Sequence, residues 1–413
     1  MQRRPCLVLQ VGNSCLDEYP DTRVLINKGR CLAVDLKPAE VRRLHRHADA
    51  FFGVCQLPDD RAGIEARSST GRQADRSRLP WVSAVSQAEL QRTLTALTGF
   101  RTRHSLTAEI HSAADWCRAM LQPYGYAVTQ VSVPVSVSSS ANLIADGIGQ
   151  GVQRKLLLVT AHLDSVNVAG GIDAAAPAAD DNASGVAGAL EIARILGPIA
   201  ASHDLRVIQF GGEVPGLRGS QHFVSTLSAA ERARVDAVVN MDMIATMNTA
   251  NPTVMLEVAA VSQGLIDELA NAARDDTTLQ VQTSLNPFAS DPVPFINAAM
   301  LAVLTIEGAG SANHNIHLAG DTLDRVHLGL ADTIVRANLA VIARRLGVDA
   351  GAAPGASSGP VVAWDANRLD VFVIGTDRAL YDQWWNGSAW GPSLYRLRGH
   401  GRRDADVLTH RRC

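Results

Sequence analysis

The chain predicts an α/β fold, a sheet with helices on both faces. Three observations carry this. "KLLLVTA" at 155–161 is an unbroken apolar run, as a strand buried on both faces requires. "SGVAGALEIARIL" at 184–196 then repeats its apolar residues at helical spacing. The alternation continues through "LRVIQF" (205–210), "DAVVNMDMIA" (236–245), "QGLIDELANAARD" (263–275), "MLAVLTI" (300–306) and a long helical pattern over 324–347.

Composition sets the limits. The chain has 413 residues, 46% hydrophobic and 19% charged, with formal net charge −3. That is enough for a large core and more than one domain. The near-neutral balance points to neither a nucleic-acid nor an anionic-membrane partner. No apolar run approaches the ~20 residues that span a bilayer.

The elements follow in order. Residues 1–80 are rich in Arg and Asp with weak periodicity, and read as an irregular, prosegment-like region. The opening "MQRRPCLVLQVGNSC" has a basic tip but an apolar stretch too short for a leader. Of the six cysteines, Cys6, Cys15, Cys31 and Cys55 fall in this region without CxxC spacing, which argues against a zinc knuckle. Pairing among them would imply an oxidising compartment; buried thiols are the alternative. The main domain, 81–348, opens with helical patterns at 87–98 and 107–122, then the strands "YAVTQVSVPV" and "ANLIADG". "DAGAAPGASSGP" at 349–360 is a small-residue linker. Short strands with aromatic and turn signals fill 361 onwards, giving way near Tyr395 to a basic end.

Polar residues end the apolar strands. His162 and Asp164 follow 155–161, as a metal ligand and its orienting carboxylate would; a capped strand end is the plainer reading. Asp180, Asp181 and Asn182 precede a helix. Capping explains one of them, and two adjacent acids exceed what a cap needs, whereas a carboxylate can bridge two cations. Glu213 follows 205–210 on a glycine-rich turn, and Asp242 stands among Met, Val and Ile, where an acid is costly unless paired or coordinating. His314, His317 and Asp321 come after Glu307. Each element is weak alone. Together, imidazole and carboxylate donors without thiolate suit catalytic rather than structural zinc.

The motifs "AHLDS", "DDNASG", "GExxGLxGS", "NMDMI" and "HxxxDT" over about 85–348 resemble the bacterial secreted zinc aminopeptidases of metallopeptidase family 28. The resemblance implies a single mixed, mainly parallel eight-stranded sheet. It also implies peptide substrates with a free N-terminus, two zinc ions, and export, with the leader outside this start. Asp181 matches the bridging ligand, His162 and Asp242 the remaining ligands of one zinc, and His317 a ligand of the other. Glu213 matches the general base that takes a proton from the attacking water, and Asp164 the partner of His162. Two positions depart from the family. Val214 stands where the second zinc's carboxylate belongs, and Pro292 of "SDPVPF" where a His is frequent. Val214 raises the alternative of a weakened or inactive peptidase. A glutaminyl-cyclase-like acyl transferase is disfavoured by the same residue. "LDVFVIGTDRALYDQWWNGSAWGP" resembles one blade of a sugar-binding-type β-propeller, here truncated, which implies at most a vestigial carbohydrate contact.

Overall fold

The structure is a computed structural model. It describes residues 3–10, 14–28, 31–44, 52–56, 64–67, 80–135, 138–258, 260–284 and 290–348, and, further on, 357–365, 368–374, 380–385 and 395–397. The chain divides into two units, Met1–Gly351 and Ala352–Cys413.

The N-terminal region holds β1 (Arg4–Gln10), α1 (Ser14–Glu18), β2 (Val24–Lys28), β3 (Cys31–Leu36), α2 (Pro38–Leu44) and β4 (Phe52–Gln56). The strands form an antiparallel sheet in the order β2-β3-β1-β4. Where an irregular region was expected, Cys6, Val8, Leu32, Val34 and Leu36 close a small core at every second position. Among the described residues β1 supplies two inward residues and β3 three, set among Arg and Asp, which explains the weak pattern. Cys6, Cys15 and Cys117 are buried and form no disulfide. The pairing argument for an oxidising compartment therefore gains nothing from Cys6 or Cys15. The side chains of Cys31 and Cys55 lie outside the described residues.

A short strand, β5 (Ile64–Arg67), precedes the helices α3 (Pro80–Ser83), α4 (Gln87–Thr98) and α5 (Glu109–Leu121). Next come β6 (Ala127–Val135), β7 (Ser138–Gly147), β8 (Leu156–His162), α6 (Gly185–Leu196), β9 (Asp204–Phe210), α7 (Arg218–Thr226), α8 (Ala229–Arg234) and β10 (Val235–Met241). The domain ends with β11 (Thr253–Glu257), α9 (Gln263–Asp276), β12 (Gln280–Ser284), α10 (Pro292–Asn297), β13 (Ala302–Glu307) and α11 (Leu328–Leu346).

One mixed sheet runs β5-β12-β11-β13-β10-β8-β9-β7-β6. Residues 81–348 supply the eight strands expected, and β5 adds a ninth at the edge beside β12. The centre, β13-β10-β8-β9, is parallel, with Leu158 of β8 between Val238 and Arg206. α7 and α10 cover one face, where Phe210, Phe223 and Phe295 pack with ring centroids 5.9–6.2 Å apart. α6, buried at every position but Arg194, packs on β8, β9 and β10 and is backed by α4 and α11.

Three details differ from the sequence reading. β10 stops at Met241, so Asp242 stands just past the strand rather than inside it. β13 extends through Glu307. β11, β12, α7, α8 and α10 appear where no element was expected, because segments of five to nine residues hold too few repeats to show a period. Among the described residues no helix is long and apolar enough to cross a membrane.

In the second unit, β14 (Ser357–Asp365), β15 (Arg368–Ile374), β16 (Leu380–Trp385) and β17 (Tyr395–Leu397) form an antiparallel sheet in chain order. β14 starts inside the segment 349–360 read as linker.

Candidate metal centre

The parallel strands β8, β9, β10 and β13 deliver their following residues to one edge of the sheet, the carboxyl ends, where α/β sheets build sites. His162 is the last residue of β8 and is 1% exposed. Its Nδ1 lies 3.1 Å from the Asp164 carbonyl and 3.5 Å from Asp164 Oδ1. Its Nε2 faces Asp181 Oδ1 at 3.1 Å and Asp242 Oδ1 at 3.4 Å. One ring nitrogen is thus held from behind while the other meets two carboxylates.

Asp181 lies in a distorted turn, Ala179–Ser184, that runs into α6. Its second oxygen, Oδ2, is 2.9 Å from His317 Nε2. A single buried carboxylate therefore lies between two imidazoles, as a bridging ligand would. His317 adopts a left-handed backbone (φ 60°), and its carbonyl accepts from Val168 N–H at 3.0 Å. Asp242 Oδ2 accepts from Ser290 Oγ at 2.7 Å. Asp321 joins the two loops, its oxygens accepting the N–H groups of Asp180 and Asp181, each at 2.9 Å. Asp180 takes no place in the cluster. It accepts from Ala245 N–H and Asn313 Nδ2 and stands with Glu307 in a buried acid pair. Burial, with Asp180 beside it, pushes the Glu307 carboxyl well above the usual range.

His162, Asp181 and Asp242 each offer a ligand atom within 4.8 Å of the others. Burial lowers the His162 pKa, but Glu213 and Asp242 outweigh it and hold the ring well above the ordinary value. Burial raises Asp181, yet His317 and His162 hold it well below the usual carboxylate range. Two acids forced together in a dry site need a cation. One imidazole and two carboxylates with no thiolate fit catalytic zinc. Among the described residues no second set of three His, Cys, Asp or Glu meets these distances.

Glu213 follows β9 on a turn closed by Gly216 and Leu217 N–H to its own carbonyl (2.9 and 2.7 Å). Gly212 enters this turn at φ 76°, and a Cβ there would meet Val135 Cγ2 at 3.0 Å. The Glu213 and Val214 N–H groups donate to Asp164 at 3.2 and 3.3 Å. Asp164 thus links His162 to the Glu213 turn. Burial opposes its ionisation, but the His162 and Ser105 hydrogen bonds hold its pKa below the usual value. Burial pushes Glu213 well above the usual range against the pull of His162, with Asp242, Asp291 and Asp164 adding to the rise. A half-buried acid with raised proton affinity beside the cluster suits a general base. At position 214 an apolar valine offers no ligand. Pro292 opens α10, where a residue without N–H is tolerated.

Sequence reasoning missed Ser105, Ser290 and the role of Asp321. Ser105 Oγ donates to Asp164 Oδ2 and accepts from Gly212 N–H, both at 2.8 Å. His314, exposed, takes no part in the cluster.

Residues 142–342 match the model of peptidase family M28. Two curated relatives are similar over part of their length. Leupeptin-inactivating enzyme 1 of Streptomyces exfoliatus is 30% identical over 45% of this chain and 41% of its own. Aminopeptidase YwaD of Bacillus subtilis is 31% identical over 35% of this chain and 30% of its own. The chain thus spans less than half of either relative. The structure of the Legionella pneumophila LapA aminopeptidase shares the fold, with TM-score 0.59 at 19% identity over 84% of this chain and 99% of that one.

Proposed function

We propose that the chain is a zinc-dependent aminopeptidase that removes N-terminal residues from peptides. The observation that carries this is Asp181, whose two oxygens face His162 and His317 with Asp242 alongside. The match to peptidase family M28 and the similarity to a named aminopeptidase support it.

His162, Asp181 and Asp242 would hold the first zinc, and Asp181 with His317 part of a second. When bound, zinc lowers the pKa of water and polarises a scissile carbonyl. Glu213 takes the proton from the attacking water and passes it to the leaving amine. Asp164 holds the His162 ring by Nδ1 and fixes the Glu213 turn by two N–H groups, so one carboxylate sets base and ligand in register. The protein would be exported, and the tail, as a remnant propeller blade, would offer at most a vestigial carbohydrate contact.

Val214 supports a second reading, a weakened peptidase holding one zinc tightly. Both are tested on one purified sample by zinc content and hydrolysis of Leu-p-nitroanilide, with N-acetyl-Leu-p-nitroanilide as the blocked control. The aminopeptidase reading expects cleavage of the free-amine substrate only, lost on chelation and restored by zinc. Zinc retained with no cleavage would favour the inactive relative. Equal cleavage of the blocked substrate would rule out aminopeptidase action.

A further inference from the structure

Arg103 lies in the loop between α4 and α5 and is 0% exposed. Its side chain donates to four main-chain carbonyls. Nε reaches Leu163 at 2.9 Å, and Nη1 reaches Leu97 at 2.9 Å and Pro177 at 2.8 Å. Nη2 reaches Ala178 at 3.1 Å. Its own N–H donates to Ser165 Oγ at 2.8 Å, and its carbonyl accepts from Ser165 N–H at 3.2 Å.

The positions of these acceptors matter. Leu163 stands between His162 and Asp164. Pro177 and Ala178 lead into Asp180 and Asp181. Leu97 belongs to the last turn of α4. One planar group therefore ties the loop carrying His162 to the loop carrying Asp181 and anchors both to a helix. A buried guanidinium is expensive when its bonds go to carbonyls rather than to a carboxylate. Burial lowers its pKa to about 10, opposed by Asp321, Cys117, Asp164 and Asp181, so the group is cationic at neutral pH. A smaller apolar residue would leave these four carbonyls without donors and could not hold two loops at a fixed separation.

We propose that Arg103 is the positioning residue of the metal centre: its fork sets the separation of the His162 and Asp181 loops, and with it the affinity for the first metal ion. This rests on reading His162, Asp181 and Asp242 as a metal site. Arg103 touches neither metal nor substrate. Its contribution is that the ligands are already gathered before the ion arrives.

The test compares wild type with Arg103→Lys. Lysine keeps the charge but presents one ammonium, which cannot span four carbonyls on three segments. Apo-protein is titrated with Zn2+ against a chelator of known affinity, and with Co2+ while its d–d absorption is recorded. The expected result is a zinc Kd weakened by about 10–100-fold, as for loss of other groups that orient ligands, with a changed Co2+ spectrum. An affinity within about twofold of wild type and an unchanged spectrum would overturn the role of Arg103 while leaving the metal site standing. A wild type that binds neither ion would overturn both. Should the lysine variant fail to fold, hydrogen exchange on the wild type decides. Preorganisation by Arg103 predicts that amides at 162–165 and 178–183 are about as protected without metal as with it. Loss of protection there in the apo-protein would count against it.

Discussion

The two halves of the metal centre share Asp181 but differ in completeness. On one side, Oδ1 meets His162, and Asp242 completes a three-residue set whose ring is steadied by Asp164. On the other, Oδ2 meets His317, and at the position where the family resemblance places a carboxylate the chain has Val214. The Val214 N–H donates to Asp164, so the turn is held to the support of His162 although residue 214 carries no ligand atom. The residue at 214 can therefore change while this contact persists, because the position contributes its main-chain N–H to the Asp164 carboxylate and any residue but proline offers one.

The sharpest way to break the comparison is to remove one ligand from each half. Asp242→Ala should abolish tight zinc binding and lower activity by about 10³-fold or more, since fewer than three protein ligands remain. His317→Ala should leave the tightly held zinc in place. Elemental analysis after dialysis reads both, and equal losses in the two variants would mean that the halves are equivalent. Next in size is Glu213→Gln, which should lower kcat by at least ~10² with zinc content near wild type. An unchanged kcat would remove Glu213 from the mechanism.

Much of this site was legible in the sequence. His162, Asp242 and His317 stand out because each follows an apolar strand, where a polar side chain has to be explained. The parallel centre was legible for the same reason, since strands buried on both faces read as unbroken apolar runs. What escaped has a common cause. Arg103 reaches the Leu163 carbonyl 60 residues away and Ser105 the Gly212 N–H 107 away, and a carbonyl or an N–H leaves no mark on composition. The N-terminal sheet escaped because β1 and β3 give its core only Cys6, Val8, Leu32, Val34 and Leu36. Asp242 was misplaced by one residue, since the apolar run continues past the last paired residue of β10 through Met243 and Ile244.

Ser105→Ala tests whether the support shared by both halves matters. The hydroxyl joins Asp164 to Gly212 N–H, and its loss leaves that buried N–H without its partner, at a cost of about 1–3 kcal/mol. Turnover should fall about tenfold through the misplaced Glu213 turn, with zinc content unchanged. A fall in zinc content equal to the fall in kcat would show that Ser105 supports the ligands rather than the base.

The smallest effect is the most informative, because it is a gain. Val214→Glu returns a carboxylate to the incomplete half, giving Asp181, His317 and a third ligand. Wild type should hold close to one zinc per chain after dialysis, and the variant close to two, with kcat raised a fewfold. The N–H of residue 214 already faces Asp164, so the backbone needs little change. Pro215 is the one obstacle, as its fixed φ limits how the turn can aim the new side chain. Val214→Glu combined with Pro215→Ala would therefore show a larger gain than Val214→Glu alone if that constraint is real. Two tightly held zincs already in the wild type, with no gain in either variant, would show that another residue supplies the missing ligand and that the two halves are not unequal at all.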